Sequence, residues 1–199
     1  NPREIAFQVL MKRETGGSTA FIEVLLDEEL SKSALQSADR GLCKEIVLGC
    51  VRWRDMLDEL VVYKQKGSKK QQPGVRSLLR MGLYQIAVLD KIPSHAAVSE
   101  TVGLARKCGL SDQAGFINAV LRAYADEPDQ TKQLILGMQR DTPARGWSHP
   151  LWMLQEWEKR HGPEDAQRLM LWNNQPAASY ARVNRLRTNS EALLQRWQE

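Results

Sequence analysis

Three histidines and three cysteines are the side chains of this 199-residue chain with the widest chemical range. They are His95, His149, His161, Cys43, Cys50 and Cys108. The cysteines are odd in number and form no CxxC pair, and the histidines have no metal-ligand spacing, so we predict neither a zinc site nor a disulfide framework. Cys43 and Cys50 stand on one face of a predicted helix and are expected to be small buried hydrophobic residues. This cysteine usage is typical of the reducing cytoplasm.

Sequence motifs that hold phosphates or activate a nucleophile are also missing. There is no glycine-rich phosphate loop with its lysine, no GxGxxG, no GxSxG elbow and no HExxH. His95, in the segment IPSHAAVSETVGLARKCG, would need a nucleophile or an orienting carboxylate to act as a general base, and the sequence places neither. We therefore predict no catalytic, cofactor-binding or metal-binding residue, and interpret His95 as a helix-start residue bonded to a neighbouring turn.

Basic residues provide the remaining chemistry. A formal net charge of +4 and a pI near 9.0 permit nucleic-acid binding without requiring it. Between residues 64 and 80 the charged side chains are all basic: Lys64, Lys66, Lys69, Lys70, Arg76 and Arg80. Two interpretations of this run remain open, a phosphate-binding segment and a solvated loop.

The elements that would position these residues are helices. Apolar residues recur at helical spacing up to about residue 140, and we expect a bundle of roughly seven or eight helices there. One long helix should begin with Asp39 as its N-cap and break near Arg54. Pro73 is predicted in the first turn of a helix, Ser94 as the N-cap of the next, and Gly109 as its left-handed C-terminal residue.

After residue 140 the composition changes, and four of the six tryptophans lie between residues 147 and 172. Pro150 and Pro163 each begin a helical pattern. The segment ASYARVNRLRT alternates and is the only convincing strand, and Asn189 is the candidate N-cap of a final helix.

We therefore divide the chain into an all-helical domain over residues 1–140 and a second unit over residues 141–199. The predicted fold class is mainly all-α, a helical bundle followed by the start of a small α/β unit. The mean hydropathy is −0.46 and no apolar run approaches the ~20 residues that cross a bilayer, so no membrane contact is expected. Because the chain begins Asn-Pro and stops within a helical pattern, we expect it to be part of a longer protein.

Three polar residues interrupt apolar stripes: Gln85, Glu100 and Asn118. Each belongs either to a polar site or to a hydrogen bond that braces two helices, because a buried polar group without a partner costs a few kcal/mol. Bracing is the commoner role.

Several segments together resemble a known family. DRGLCKEIVLGCVRWRDMLD, VRSLLRMGLYQIAVLDKIPSHAAVSETVGLARKCG and GFINAVLR are similar, in this order, to the NusB-like helical domain. More narrowly, they resemble the version of that domain that opens bacterial ribosomal RNA cytosine-5 methyltransferases of the RsmB type. The segment HPLWMLQEWEKRHGPEDAQRLMLWNNQPAASYARVNRL resembles the part that follows it in those enzymes. One local departure is AVSETV, with Ser99 and Thr101, where relatives often read AVNEAV.

The resemblance implies that this chain docks RNA for an enzyme that methylates C5 of a cytosine in 16S ribosomal RNA. The family's nucleophilic cysteine follows a proline, and none of the three cysteines here does, so the chain alone is not expected to be catalytic. S-adenosylmethionine would be the cofactor of the longer protein, with none bound by this part. The implied partners are small-subunit ribosomal RNA and the enzyme's own methyltransferase domain, with no DNA.

Cations that neutralise phosphates without reading bases are spread over both units. The predicted RNA-binding residues are Arg3, Arg40, Lys44, Arg52, Arg54, Lys69, Lys70, Arg76, Arg80, Arg122, Arg182, Asn184 and Arg185. The last three belong to the RVN region, which resembles an RNA-facing strand in these enzymes. Two alternatives are a free-standing module of the transcription antitermination type, which binds RNA or a ribosomal protein, and a protein-interaction scaffold.

Overall fold

The computed structural model describes residues 1–16, 20–65, 71–175 and 180–198. Within them lie twelve α-helices and one short 3₁₀ helix, Ser111–Gln113, and no strand. The α-helices are α1 Pro2–Glu14, α2 Ile22–Ser31, α3 Ser37–Arg52, α4 Arg54–Lys64, α5 Pro73–Ala87, α6 Ser94–Lys107, α7 Ala114–Ala125, α8 Pro128–Asp141, α9 Pro143–Gly146, α10 Leu151–His161, α11 Pro163–Asn174 and α12 Ser190–Gln198. The predicted mainly all-α class is confirmed.

Most of the local signals in the sequence are confirmed. Pro73 is the first residue of α5, Gly109 has φ +75° after α6, and the long helix breaks at Trp53 between α3 and α4. Two predicted N-caps are wrong. Asp39 lies within the first turn of α3, and Ser94 is the first helical residue of α6, because the carbonyl of the preceding proline accepts the first helical hydrogen bonds.

Helix α5 is the centre of the main core, and its residues 77–85 are all buried. Helices α1, α3, α4, α6 and α7 pack around it. A Cβ atom on Gly49 of α3 would lie 1.9 Å from the ring of Tyr84, so only glycine allows α3 to approach α5 this closely. Cys43 and Cys50 are buried in this core as predicted, and burial raises the pKa of Cys43 to about 11.

A second, smaller core follows residue 142. It contains Ala144, Leu154, Ala166 and Met170, with Trp147 and Trp157 packed against them. This core is attached to the first through α9 and the turn after it. The hydroxyl of Ser148 accepts a hydrogen bond from the backbone N–H of Met56 in the first turn of α4, at 2.9 Å. The ring centroids of Trp53 and Trp147 lie 6.1 Å apart.

The predicted strand is not present in the described part of its segment. Residues 180–184 have no regular secondary structure, and residues 185–187 form a turn in which the side chain of Asn184 accepts a hydrogen bond from the N–H of Leu186. A strand needs a neighbouring strand, and the described residues provide none. The predicted cap of the final helix is confirmed, because Asn189 Oδ1 accepts from the N–H of Ala192 at 2.8 Å.

Candidate nucleic-acid interface

The predicted RNA-binding residues differ in how many hydrogen bonds and ion pairs they form within the chain. Arg76 and Arg80 form the strongest ones. Arg80 is only 7% exposed, and its Nε and Nη2 atoms each donate to the carboxylate of Asp58 at 2.6 Å. Its Nη1 atom donates to Glu14, which also accepts from Arg76 at 2.5 Å. These arginines hold α1, α4 and α5 together, with the Arg80 side chain shielded from solvent and that of Arg76 partly exposed.

The pKa of Glu14 reflects this arrangement. Burial alone would raise it, but the hydrogen bonds and charges of Arg80 and Arg76 outweigh burial and hold the pKa below its usual value. Glu14 is therefore a carboxylate at neutral pH, and the two arginines are already neutralised. Their positions argue against a direct contact between Arg80 and RNA.

Arg3 and Arg40 also bond within the bundle. Arg3 Nε donates to Gln85 Oε1 at 2.8 Å, which links α1 to the buried face of α5. Gln85 donates in turn to the carbonyl of Met81, so the bracing interpretation of Gln85 is favoured. Arg40 Nη1 donates to the carbonyl of Leu30 at the end of α2. Both arginines are half-buried.

Lys44, Arg52 and Arg54 leave more of their charge available. Lys44 lies 4.0 Å from Asp27, and Arg54 lies 3.3 Å from Asp55, and both pairs are largely exposed. Exposed pairs of this kind contribute ~0–1 kcal/mol and exchange readily for a phosphate. Arg52 is half-buried and forms no hydrogen bond or ion pair within the described residues. Lys69 and Lys70 lie outside the described residues.

Arg182, Asn184 and Arg185 lie together near the end of the chain. They line one surface cleft of about 660 Å³ with Val183 and Ser190. All three predicted residues are exposed. The amide oxygen of Asn184 accepts the turn hydrogen bond, which fixes this side chain, and the two arginines supply the positive charge of the cleft.

A second polar surface lies between α6 and α7, and we call it the α6–α7 groove. It encloses about 680 Å³. Its walls are formed by His95, Ser99 and Arg106 of α6, and by Asn118 and Arg122 of α7. These residues share one face of each helix, since 95, 99 and 106 are four and then seven residues apart and 118 and 122 are four apart. The opposite face of α6 packs into the core.

The groove combines free cations with an apolar floor. Arg106 and Arg122 are exposed and form no hydrogen bond or ion pair with any described residue. Asp126 is the single acid among the residues that line it, and Val98 and Val102 form part of its floor. His95 is exposed and forms no hydrogen bond in the described chain, so its predicted bond to a neighbouring turn is not found.

Two ranges of the chain match known protein families. Residues 1–126 match the NusB family. The chain belongs to the NusB family. Residues 149–199 match the ferredoxin-like domain of RsmF/B-like methyltransferases, which follows the NusB bundle along the chain.

Three relatives are similar over almost the whole chain. A probable ribosomal RNA small subunit methyltransferase B from Synechocystis sp. is 32% identical over 97% of this chain and 43% of its own length. A protein named ribosomal RNA small subunit methyltransferase B from Pseudomonas putida is 36% identical over 98% of the chain and 42% of its own length. A probable one from Bacillus subtilis is 32% identical over 96% and 42%. The chain therefore spans less than half of each relative.

From the sequence, Arg122 was predicted as an RNA contact, His95 and Asn118 were considered for other roles, and Arg106 was not named as a contact. The usable signal was its helical spacing from His95 and Ser99, which places three polar side chains on one face of α6. The unpaired arginines can neutralise and orient an anion. Among the described residues no group of three histidine, cysteine, aspartate or glutamate side chains could hold a metal ion, and no helix could span a membrane.

Proposed function

We propose that this chain is the RNA-docking part of an S-adenosylmethionine-dependent methyltransferase that modifies C5 of a cytosine in 16S ribosomal RNA in the cytoplasm. The observation that carries the proposal is the order of the two family matches, NusB over 1–126 and the RsmF/B ferredoxin-like domain over 149–199. Proteins named ribosomal RNA small subunit methyltransferase B resemble the chain across both.

In this proposal the chain has two units with different roles, and the boundary between them lies near residue 141. The helical bundle of residues 1–140 holds folded RNA through exposed cations such as Lys44, Arg54 and Arg122. The second unit contributes Arg182 and Arg185 and leads to the methyltransferase domain, which we propose as this chain's protein partner. S-adenosylmethionine supplies the methyl group in the longer protein.

Contacts of this kind are electrostatic and position the RNA without choosing its sequence. Each arginine or lysine on a phosphate releases a condensed counterion, so binding should weaken steeply as salt is added. Recognition of the particular cytosine then depends on RNA shape and on the catalytic domain. Arg80 is not part of this surface, since two carboxylates already occupy its donors.

A free-standing antitermination module is the second candidate, and the NusB match by itself favours it. The similarity over residues 149–199 argues against it, because a module that acts alone has no need of a methyltransferase's ferredoxin-like domain.

The test uses the longer protein with tritiated S-adenosylmethionine and unmodified small-subunit ribosomal RNA, beside a version that lacks residues 1–140. We expect the complete protein to methylate a cytosine and the truncated protein to need a much higher RNA concentration. Equal activity at every RNA concentration would contradict the docking role. A complete protein that binds this RNA but transfers no methyl group would favour the antitermination candidate.

A further inference from the structure

We propose that the α6–α7 groove binds one unpaired nucleotide of the RNA, with Arg106 and Arg122 on its phosphodiester and its base over Val98 and Val102. This inference rests on the proposed function only in taking RNA as the source of the nucleotide. The exposed arginines and lysines of the docking surface would bind the phosphates of any RNA, whereas this groove requires a strand with unpaired bases.

The size of the groove suits a ligand of this class. Its volume of about 680 Å³ lies within the ~300–1,000 Å³ typical of sites for small organic molecules. A paired and stacked nucleotide cannot enter it, since the base would first have to leave its helix. The groove therefore favours a loop, a bulge or a strand end over duplex RNA.

The charges of the groove point to a phosphodiester. Arg106 lies in the α6 wall and Arg122 in the α7 wall, and no acid of the described chain pairs with either. A guanidinium group donates two parallel hydrogen bonds to phosphate oxygens, and such charge-assisted bonds are roughly twice as strong as neutral ones. Asp126 lies one helical turn after Arg122 and disfavours a second phosphate at that end.

The remaining lining residues suit a base. Val98 and Val102 are nearly buried and provide an apolar surface for one face of the ring. The amide of Asn118 is half-buried and has no hydrogen-bond partner within the described residues, so its donor and acceptor are available to a base edge. His95 stands at the N-terminal end of α6, where its ring can stack on a neighbouring base.

The test measures fluorescence anisotropy of the complete chain with a ten-nucleotide uridine strand and with a ten-base-pair duplex at equal salt. The variants are Arg106→Gln and Arg122→Gln, and the charge-matched control is Arg168→Gln, which removes an exposed arginine of α11. We expect each groove variant to weaken binding of the strand roughly fivefold or more, from the loss of a charge-assisted bidentate contact. The control and the duplex should change by less than about twofold.

A second readout localises the site. A strand carrying 4-thiouridine should crosslink to peptides from residues 95–106 and 118–126. If both groove variants behave as the control does, while the wild-type chain still binds small-subunit ribosomal RNA, the nucleotide site is wrong and the docking function stands. If the wild-type chain binds no ribosomal RNA, the docking function itself fails. A groove that takes uridine monophosphate but not the strand would be a free-nucleotide site, which overturns the assignment to RNA.

Discussion

Two pairs of arginines in the same helical bundle have opposite surroundings. Arg76 and Arg80 face Glu14 and Asp58 across the meeting point of α1, α4 and α5, and Arg80 is almost completely buried. Arg106 of α6 and Arg122 of α7 both line the α6–α7 groove, and no acid of the described residues pairs with either.

The difference lies in the carboxylates on neighbouring helices. An arginine that meets such a carboxylate stabilises the fold, and one that meets none remains available to a ligand. These carboxylates are distant from the arginines in sequence. Glu14 lies 66 residues from Arg80, so the run of bases between residues 64 and 80 appeared free of acids although the fold supplies two.

Thiol reactivity gives the largest expected contrast between the two regions. Cys50 lies in the buried core beside Arg80, and burial raises its pKa strongly. Cys108 is exposed just after α6, two residues from Arg106. In native protein at pH 8, iodoacetamide should modify Cys108 at least about a thousandfold faster than Cys50, because Cys50 reacts only when the bundle opens. Mass spectrometry of timed samples checks this, and comparable rates would mean that the core around Arg80 is open.

Removing the buried arginine should cost stability and leave RNA binding alone. In Arg80→Met the carboxylates of Glu14 and Asp58 lose their main partner and stay near each other. We expect the free energy of unfolding to fall by about 2–3 kcal/mol, less than for a fully buried pair because Asp58 is partly exposed. Urea unfolding measures the loss, with Arg168→Met as the exposed control. A weaker affinity for RNA with the fold intact would make Arg80 a contact residue.

Placing an acid beside a groove arginine should weaken RNA binding and leave stability nearly unchanged, the opposite of the result expected for Arg80. Asn118→Asp places a carboxylate one helical turn before Arg122, the favourable order for an ion pair on a helix. We expect stability to change by less than about 0.5 kcal/mol while affinity for single-stranded RNA falls several-fold. Gln155→Glu on the exposed surface of α10 makes the same charge change far along the chain. Equal losses in both variants would mean that only net charge matters.

The smallest expected effect is in the pH dependence of stability. The pKa of Glu14 is lower in the folded protein than in the unfolded chain, so its contribution is complete above the unfolded value of about 4.3 and is lost as the pH falls through the folded value. Denaturant unfolding between pH 6 and pH 3 should show this decline in the wild type and a shallower one in Arg80→Met. An unchanged slope in that variant would mean that Arg80 does not hold the pKa of Glu14 down.

Much of the fold could be predicted from local signals. Apolar spacing, Pro73 and Gly109 gave most of the helices of the bundle, since each acts within a few residues of chain. The predicted strand at residues 178–188 was not found among its described residues, because alternation describes one strand and says nothing about a partner for it.

The candidate site was less predictable, because it depends on which helices face one another. Arg122 was predicted as an RNA contact, but its neighbour Arg106 was not, since 16 residues and a turn separate them in sequence. Arg80 was predicted for the same role from its place in a run of bases without acids, and its partners Glu14 and Asp58 lie in other helices.

The salt dependence of RNA binding tests the docking account most directly. Affinity of the complete chain for unmodified small-subunit ribosomal RNA would be measured across a range of salt concentrations for the wild type, Arg80→Met and the double variant Arg106→Gln/Arg122→Gln. The account predicts a steep slope for the wild type, the same slope for Arg80→Met, and a slope smaller by roughly one to two for the double variant. A shallow wild-type slope would contradict the docking account, whereas a double variant indistinguishable from a steep wild type would contradict only the role of the α6–α7 groove.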